Sequence, residues 1–518
     1  MRFNTCSIHK ENSKGRAQLQ VTFDEDYNLP DYKPDISSVI MKQGSVTVEE
    51  VKVTKGHVWV KGILKFDVLY RAEQNSLGFC STAGSAGFQE NIAMDQAQEF
   101  DTACVEAMLE DLSIHITNSR KLAIRGLIQL NVTLSEFVSV DIPCEVEEEH
   151  NVEILKHPLR FLQLNASGRD QLRIHEELEL PGNKLNIQSV IWKDIRMEGI
   201  TASALNGALQ MKGELAVFCL YQAEPGIRME WYENRLPIQC RLEVPEVDVD
   251  SICHVKMLDN DWNLVVQEDS EGENRVLVID GLFKVEYRIY QEAEKQWIQD
   301  LYALDRTLLP KTEPQVLEQL LMKNASRYKV NDVLTLEPGQ KEMLQICNCS
   351  GSVQVDRKEI VRDGIQVEGT VAVRILYLTQ DDGMPIDAVE GLIPFQFTVE
   401  APGITGDCRY DLKEGLNLLN VMMKNSNMLE VQAVLDFDLI VFAREAIANI
   451  LSVEEEPLRL DSLLSMPGLT GIRIKPGDTL WSVAKENHTT QNVIRQNNPG
   501  LEEPLKVGNV LLLLKQIE

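Results

Sequence analysis

Cys253 stands beside His254, Cys347 and Cys349 form a C-x-C pair, and Asp381-Asp382 precede Gly383. A thiol next to an imidazole suits nucleophilic catalysis, paired thiolates suit a soft metal, and paired carboxylates suit acid–base work. None of these chemistries is supported further. Neighbours on a strand point to opposite faces, so Cys253 and His254 are expected to face apart. The C-x-C pair has no second pair at zinc-site spacing. Two aspartates before a glycine read as turn chemistry. The eight histidines do not recur at matching places, and the chain has no HExxH, G-x-S-x-G, Walker A loop or GxGxxG after a strand. The expectation is a non-enzyme with no catalytic residue, metal site or cofactor.

At 518 residues the chain has room for three or four domains. Its 44% hydrophobic and 25% charged content are those of a globular protein. The net charge of −29 makes nucleic acid and anionic membrane surfaces poor partners, because both demand a basic face. Residues 472–518 carry six basic and five acidic side chains, so this tail is +1 and the rest −30. Residues 1–20 lack the apolar core of a secretory signal, and no run approaches the roughly 20 apolar residues of a membrane-spanning helix. Ten scattered cysteines fit reduced thiols in a cytosolic protein.

The phrase LPDYKPDISSVI (residues 29–40) returns as LPGNKLNIQSVI (180–191). A strand pattern follows each: VKGILKFDVLY (60–70), MKGELAVFCLY (211–221) and, a third time, VEGTVAVRILY (367–377). Pro30, Pro181 and Pro338 precede Gly62, Gly213 and Gly369 by 32, 32 and 31 residues, and Lys341 and Leu344 align with Lys33 and Ile36. A second shared strand recurs at 122–134, 276–290 and 429–442. Three landmarks in three copies mean a triplication. Period-two alternation predicts half-buried strands, with Phe66, Val68 and Tyr70 on one face. The glycine inside each strand predicts a bulge or a close backbone approach, and Asn75-Ser76, Pro225-Gly226 and Asp382-Gly383 predict hairpin turns.

These patterns predict a mainly β protein: β-sandwich-like units over 1–150, 160–305 and 320–450, independent like beads on a string. Residues 313–326 have helical character, residues 145–150 read as a solvated acidic connection, and 451–470 form an acidic, flexible linker. The domain at 471–518 reads as βααβ: a strand at 472–474, a helix capped by Asp478 or Thr479 with Leu480, Val483 and Ala484 buried, a helix over 491–497 with Val493 and Ile494 inside, and a strand at 510–514.

That order, with GDTLWSVA and LKVGNVLLL, resembles the LysM domain. The resemblance implies a shallow groove for N-acetylglucosamine polymers, formed by Gly477, Asp478 and Thr479 on one side and Asn498, Pro499 and Leu501 on the other. Helix capping is the competing role for Asp478 and Thr479. The chain departs from the usual pattern at Ile472 and Leu514. As a whole it resembles the SipL-like spore coat assembly proteins of endospore-forming Firmicutes, which join SPOCS repeats to a terminal LysM domain. This resemblance implies a scaffold of the mother-cell cytoplasm recruited to the forespore surface. Its LysM domain would bind the coat-basement ATPase, spore stage IV protein A, and its repeats other coat proteins. The alternative is a cell-wall protein binding peptidoglycan or its precursors.

Overall fold

The structure is a computed structural model describing residues 1–73, 78–147, 150–225, 228–381, 383–457 and 469–514. The first unit comprises β1 (Phe3–Asn28), β2 (Ile36–Thr54), β3 (His57–Ala72), β4 (Phe79–Ala93), β5 (Thr102–Asn118) and β6 (Lys121–Val146). It forms two antiparallel sheets, in orders β1-β6-β5 and β2-β3-β4. The second unit repeats this with β7 (Val152–Glu179), β8 (Asn186–Leu205), β9 (Ala208–Glu224), β10 (Arg228–Glu243), β11 (Ile252–Glu268) and β12 (Asn274–Ala303). The third does so with β13 (Arg306–Thr335), β14 (Met343–Val361), β15 (Gly364–Thr379), β16 (Ile386–Glu400), β17 (Arg409–Asn425) and β18 (Met428–Pro457). Register is shared: Phe23 faces Gly126, Ile174 faces Gly281 and Val330 faces Ala433. In each unit the inner faces of the two sheets pack into one core, as the alternating sequence requires.

The repeated phrase is the lead-in to β2, β8 and β14, and the strand tyrosines hold it. Tyr70, Tyr221 and Tyr377 donate to the carbonyls of Pro34, Leu185 and Lys341 at 3.1, 3.3 and 3.2 Å. Arg120 caps the first lead-in, donating to the carbonyls of Lys33 (2.6 Å), Leu29 (3.3 Å) and Pro30 (2.9 Å) and to Asp35 (3.0 Å). Arg275 does the same in the second unit, with Lys184, Leu180, Pro181 and Asn186. The third unit has Asn427 there: its carbonyl receives the Leu336 N–H, as Arg120 and Arg275 receive those of Leu29 and Leu180. With no guanidinium to match, the third phrase has drifted furthest. The hydrogen bonds also correct the alignment. Glu337, not Pro338, holds the Pro30 position, which lengthens the interval to Gly369 to 32 residues (369 − 337). Met343, not Leu344, is the buried counterpart of Ile36 and Ile187, while Leu344 is 59% exposed.

The strand glycines sit beside bulges, as expected. Gly62 and Gly369 pair with Val48 and Val355, where the partner strand changes register, and Gly213 flanks the bulge between Glu198 and Thr201. A Cβ on Gly62 would lie 2.7 Å from the Thr47 carbonyl oxygen, and one on Gly213 would lie 3.1 Å from that of Glu198.

Three expectations fail. Residues 313–326 are strand, part of β13, because a bulge between Leu320 and Met322 lets a helix-like spacing of Leu317 and Leu320 pair with the β-rich β18. Pro314 is tolerated because β13 is an edge strand. The linker does not begin at 451: Ser452–Pro457 pair with Lys311–Arg306; residues 458–468 lie outside the described residues, as do Asn75-Ser76, Gly226, Asp382 and, within the acidic connection, residues 148–149.

Nor are the units beads on a string. Each touches both others, forming a ring. Leu69, Leu220 and Leu376, the residues before the tyrosines, are fully buried in one cluster shared by all three units. A second shared cluster joins Ile8, Leu159, Phe161, Trp297, Leu317 and Ile447. Polar contacts cross the seams too: Arg169 to the Ala103 carbonyl (2.9 Å), Asn348 to Asp194 (3.0 Å) and Asn449 to the Asp141 carbonyl (3.0 Å).

Candidate functional site

The C-terminal domain comprises β19 (Leu469–Arg473), α1 (Leu480–Glu486), α2 (Gln491–Asn497) and β20 (Val510–Leu514), with β19 antiparallel to β20. Leu480, Val483, Ala484, Ile494, Leu511 and Leu513 form its core. Thr479 is the cap of α1: its hydroxyl accepts from Ser482 N at 3.0 Å, and Ser482 Oγ accepts from Thr479 N at 2.9 Å. Asp478 instead accepts from Lys475 N at 2.7 Å, closing the Pro-Gly turn in which Gly477 adopts φ +91°. On the opposite loop, Asn498 spends its side chain on backbone. It donates to Ile494 O (2.7 Å) and Leu512 O (2.8 Å) and accepts from Leu512 N (2.8 Å). Leu501 packs against the domain core, and Pro499 is exposed. Of the six residues, Gly477, Thr479 and Pro499 present open surface, and Asp478 and Leu501 are half-buried. Asn498 fixes the last strand. Leu480 and Leu501 tie the two loops to one core.

The residues that could do chemistry elsewhere are dispersed. Cys253 packs on the core of the second unit while His254 faces the other way, into a cavity of about 1260 Å³ where the three units meet. Cys347 is buried in the shared leucine cluster, and burial pushes its thiol up to about 12. Asp381 accepts from Gly383 N at 2.9 Å and pairs with Lys341 at 2.8 Å, as turn chemistry requires. No group of three metal-ligating side chains occurs among the described residues.

The cavity brings together Cys104, His254 and Asp411, one from each unit at matching register positions. Burial raises the Cys104 thiol, away from a nucleophilic thiolate. His254 makes no hydrogen bond among the described residues, and burial lowers its pKa. Burial opposes the Asp411 charge, but Arg409, His254 and Arg288 outweigh it and hold the carboxyl below its usual range. Arg409 bonds Asp411 and Glu318 at 2.8 Å each; Arg288 reaches Glu11 and Glu286 at 2.8 Å; Lys256 pairs with Glu106. The arrangement is an ion-pair network that neutralises charge between packed units.

One site was not foreseen. Trp481 and Lys485, on the outer side of α1, lie against the end of β12 in the second unit. The Trp481 indole donates to Asp300 at 2.8 Å, Lys485 reaches both Asp300 oxygens at 2.6 and 2.8 Å, and the Tyr302 hydroxyl donates to the Thr489 carbonyl at 2.7 Å. Tyr302 and Trp481 meet edge-on with centroids 4.8 Å apart. The signal in the sequence was Trp481 itself, a large aromatic next to the buried Leu480.

A family model described as "SipL, SPOCS domain" matches residues 35–117 and 342–424, and a LysM domain model matches residues 472–513. The SPOCS matches cover β2–β5 and β14–β17, and β8–β11 repeat the same pairing in the second unit. Neither a curated protein nor a solved structure matches the chain significantly. No described helix is long and apolar enough to cross a membrane. Strand order and register repeat across the three units, and the chain carries SipL-type SPOCS domains, matched in the first and third units, together with a LysM domain.

Proposed function

We propose that the protein is a non-enzymatic scaffold of spore coat assembly. Both of its domain types are binding modules, and their pairing points to a sporulation-related protein. In this reading the LysM domain grips the coat-basement ATPase (spore stage IV protein A) at the surface of the forespore, from the mother-cell cytoplasm. The ring of SPOCS units presents its outer faces to further coat proteins, so that several weak contacts act from one body. The observation that carries the reading is a LysM domain, with Gly477, Thr479 and Pro499 on open surface, held on an acidic body whose central cavity is lined by ion-paired groups such as Arg409, held by Glu318 and Asp411. Deleting residues 469–518 is expected to abolish forespore localisation of a fluorescent fusion while the β units stay folded; normal localisation would exclude the assigned role.

The second reading is a peptidoglycan-binding protein, favoured by the LysM match itself. Sedimentation of the full chain with purified peptidoglycan separates the two. Retention on the glycan with no capture of the ATPase would favour the wall.

A further inference from the structure

The LysM domain follows the third unit in sequence but is seated on the second. Register assigns the three equivalent strand ends. Val146 pairs with Phe3, Leu301 with Ile154 and Val453 with Pro310, each one position beyond a bulge. The residues there are Glu145-Val146-Glu147 in the first unit, Asp300-Leu301-Tyr302 in the second and Ser452-Val453-Glu454 in the third. The second alone offers a carboxylate and an aromatic hydroxyl two residues apart on one side of a strand. α1 and the loop after it offer the complement: from the helix, an indole N–H and an ammonium that both converge on Asp300 and a ring edge for Tyr302; from the loop, the Thr489 carbonyl, which accepts from the Tyr302 hydroxyl.

We propose that the outer face of α1 is a receptor for an Asp-x-Tyr strand end, filled in the resting molecule by Asp300-Leu301-Tyr302 of the same chain. The match is chemical on three counts. One carboxylate accepts from two different donors, which a neutral side chain cannot replace without leaving Lys485 unpaired in a half-buried contact. Trp481 is 9% exposed, meets Tyr302 edge-on and shares with it a buried cluster against which Leu155 and Leu304 of the second unit pack. The near-neutral LysM domain also lies on a body that carries almost all of the chain's negative charge. The loops bearing Gly477, Thr479 and Pro499 stay exposed in this seat, so the latch fixes the direction in which they point while closing the helical face. Opening it would free that face for an acidic, aromatic strand of another protein. The inference stands whether the loops take a protein or a glycan.

The test uses the full chain. Hydrogen–deuterium exchange over residues 480–490 is compared for wild type, Asp300→Ala, Tyr302→Phe and Trp481→Phe. A labelled peptide of residues 296–304 is titrated into each, with an Asp300→Ala peptide as control. Exchange is expected to rise at least about tenfold in Asp300→Ala, with smaller rises for the two Phe variants. The released chain should bind the peptide at least about tenfold more tightly than wild type does, and the control peptide should not bind. Unchanged protection in all three variants, or a released face that ignores the peptide, overturns the proposal. Trp481→Phe, which keeps an aromatic ring but loses the indole N–H and part of the packed surface, together with Tyr302→Phe, which loses only the hydroxyl, decides the matter should Asp300→Ala misfold. Forespore localisation plays no part in these readouts, so their failure is separate from failure of the scaffold role.

Discussion

Arg275 makes four hydrogen bonds to one lead-in loop, three of them to carbonyls, of which that of Pro181 also accepts from Lys184 N. Its side chain is 13% exposed. Arg275→Ala should lower unfolding free energy by about 3 kcal/mol in chemical denaturation, the scale of losing several bonds to a charged donor. The same change at the half-exposed Arg120 should cost less. His254 gives a pH signature. Burial lowers its folded pKa below the unfolded value, so the unfolded chain takes up the proton first. Stability contributed by neutral His254 is therefore full above about pH 6.5 and is lost as pH falls below it. The groups facing it are Asp411, Arg288, Arg409 and Lys413. Between pH 7 and 5.5, His254→Gln should flatten the decline by at most about 1.4 kcal/mol per pH unit, read from denaturant midpoints at each pH. At this scale the sequence told much about local chemistry and little about partners. Thr479 as a cap, Asp381 in a turn and the opposed faces of Cys253 and His254 follow from rules acting over a few residues. That Asn498 would spend its amide on β20, or that Asp300 would meet Trp481, depends on contacts between distant segments.

Strands carry the next lesson. Alternation placed Phe66, Val68 and Tyr70 on the inner face of β3 correctly, but Leu69 breaks it, as do Leu220 and Leu376. Both faces are buried at that point, one inside the unit and one between units. In the sequence the three leucines stand out of alternation as an apolar residue before each tyrosine, and in the structure they mark the face that joins the units. Leu220→Ala should cost roughly 2–5 kcal/mol, the range for a truncated leucine in a core, although a single sandwich would leave this side chain in water. A loss below about 0.5 kcal/mol in equilibrium unfolding would mean the seam is open in solution. The βααβ order of the last domain was readable in full, because its caps and periodicity are local. Residues 313–326 were not, because pairing with β18 overrides the helical spacing.

For the whole molecule, the shared clusters make the ring a single thermodynamic body. Calorimetry of the full chain is expected to show one transition for the three units together, with enthalpy matching its van't Hoff value; three separable transitions would restore independent beads. Removing residues 152–305 should yield aggregated protein, since both neighbours would expose the apolar surface that now faces Phe161 and Trp297. A fixed ring also replaces loose multivalency: whatever the outer faces bind, they present it at set spacings.

Position 106 of the first unit corresponds to 256 and 413 in the others, and the residues are glutamate, lysine and lysine around one cavity. A homotrimer of one such unit would be bound by its rotation axis to place three like charges there. Fusing the copies into one polypeptide lifts that constraint, so each can evolve the counter-ion of its neighbour. Genes re-engineered to encode three identical copies would therefore give a protein whose centre repels itself.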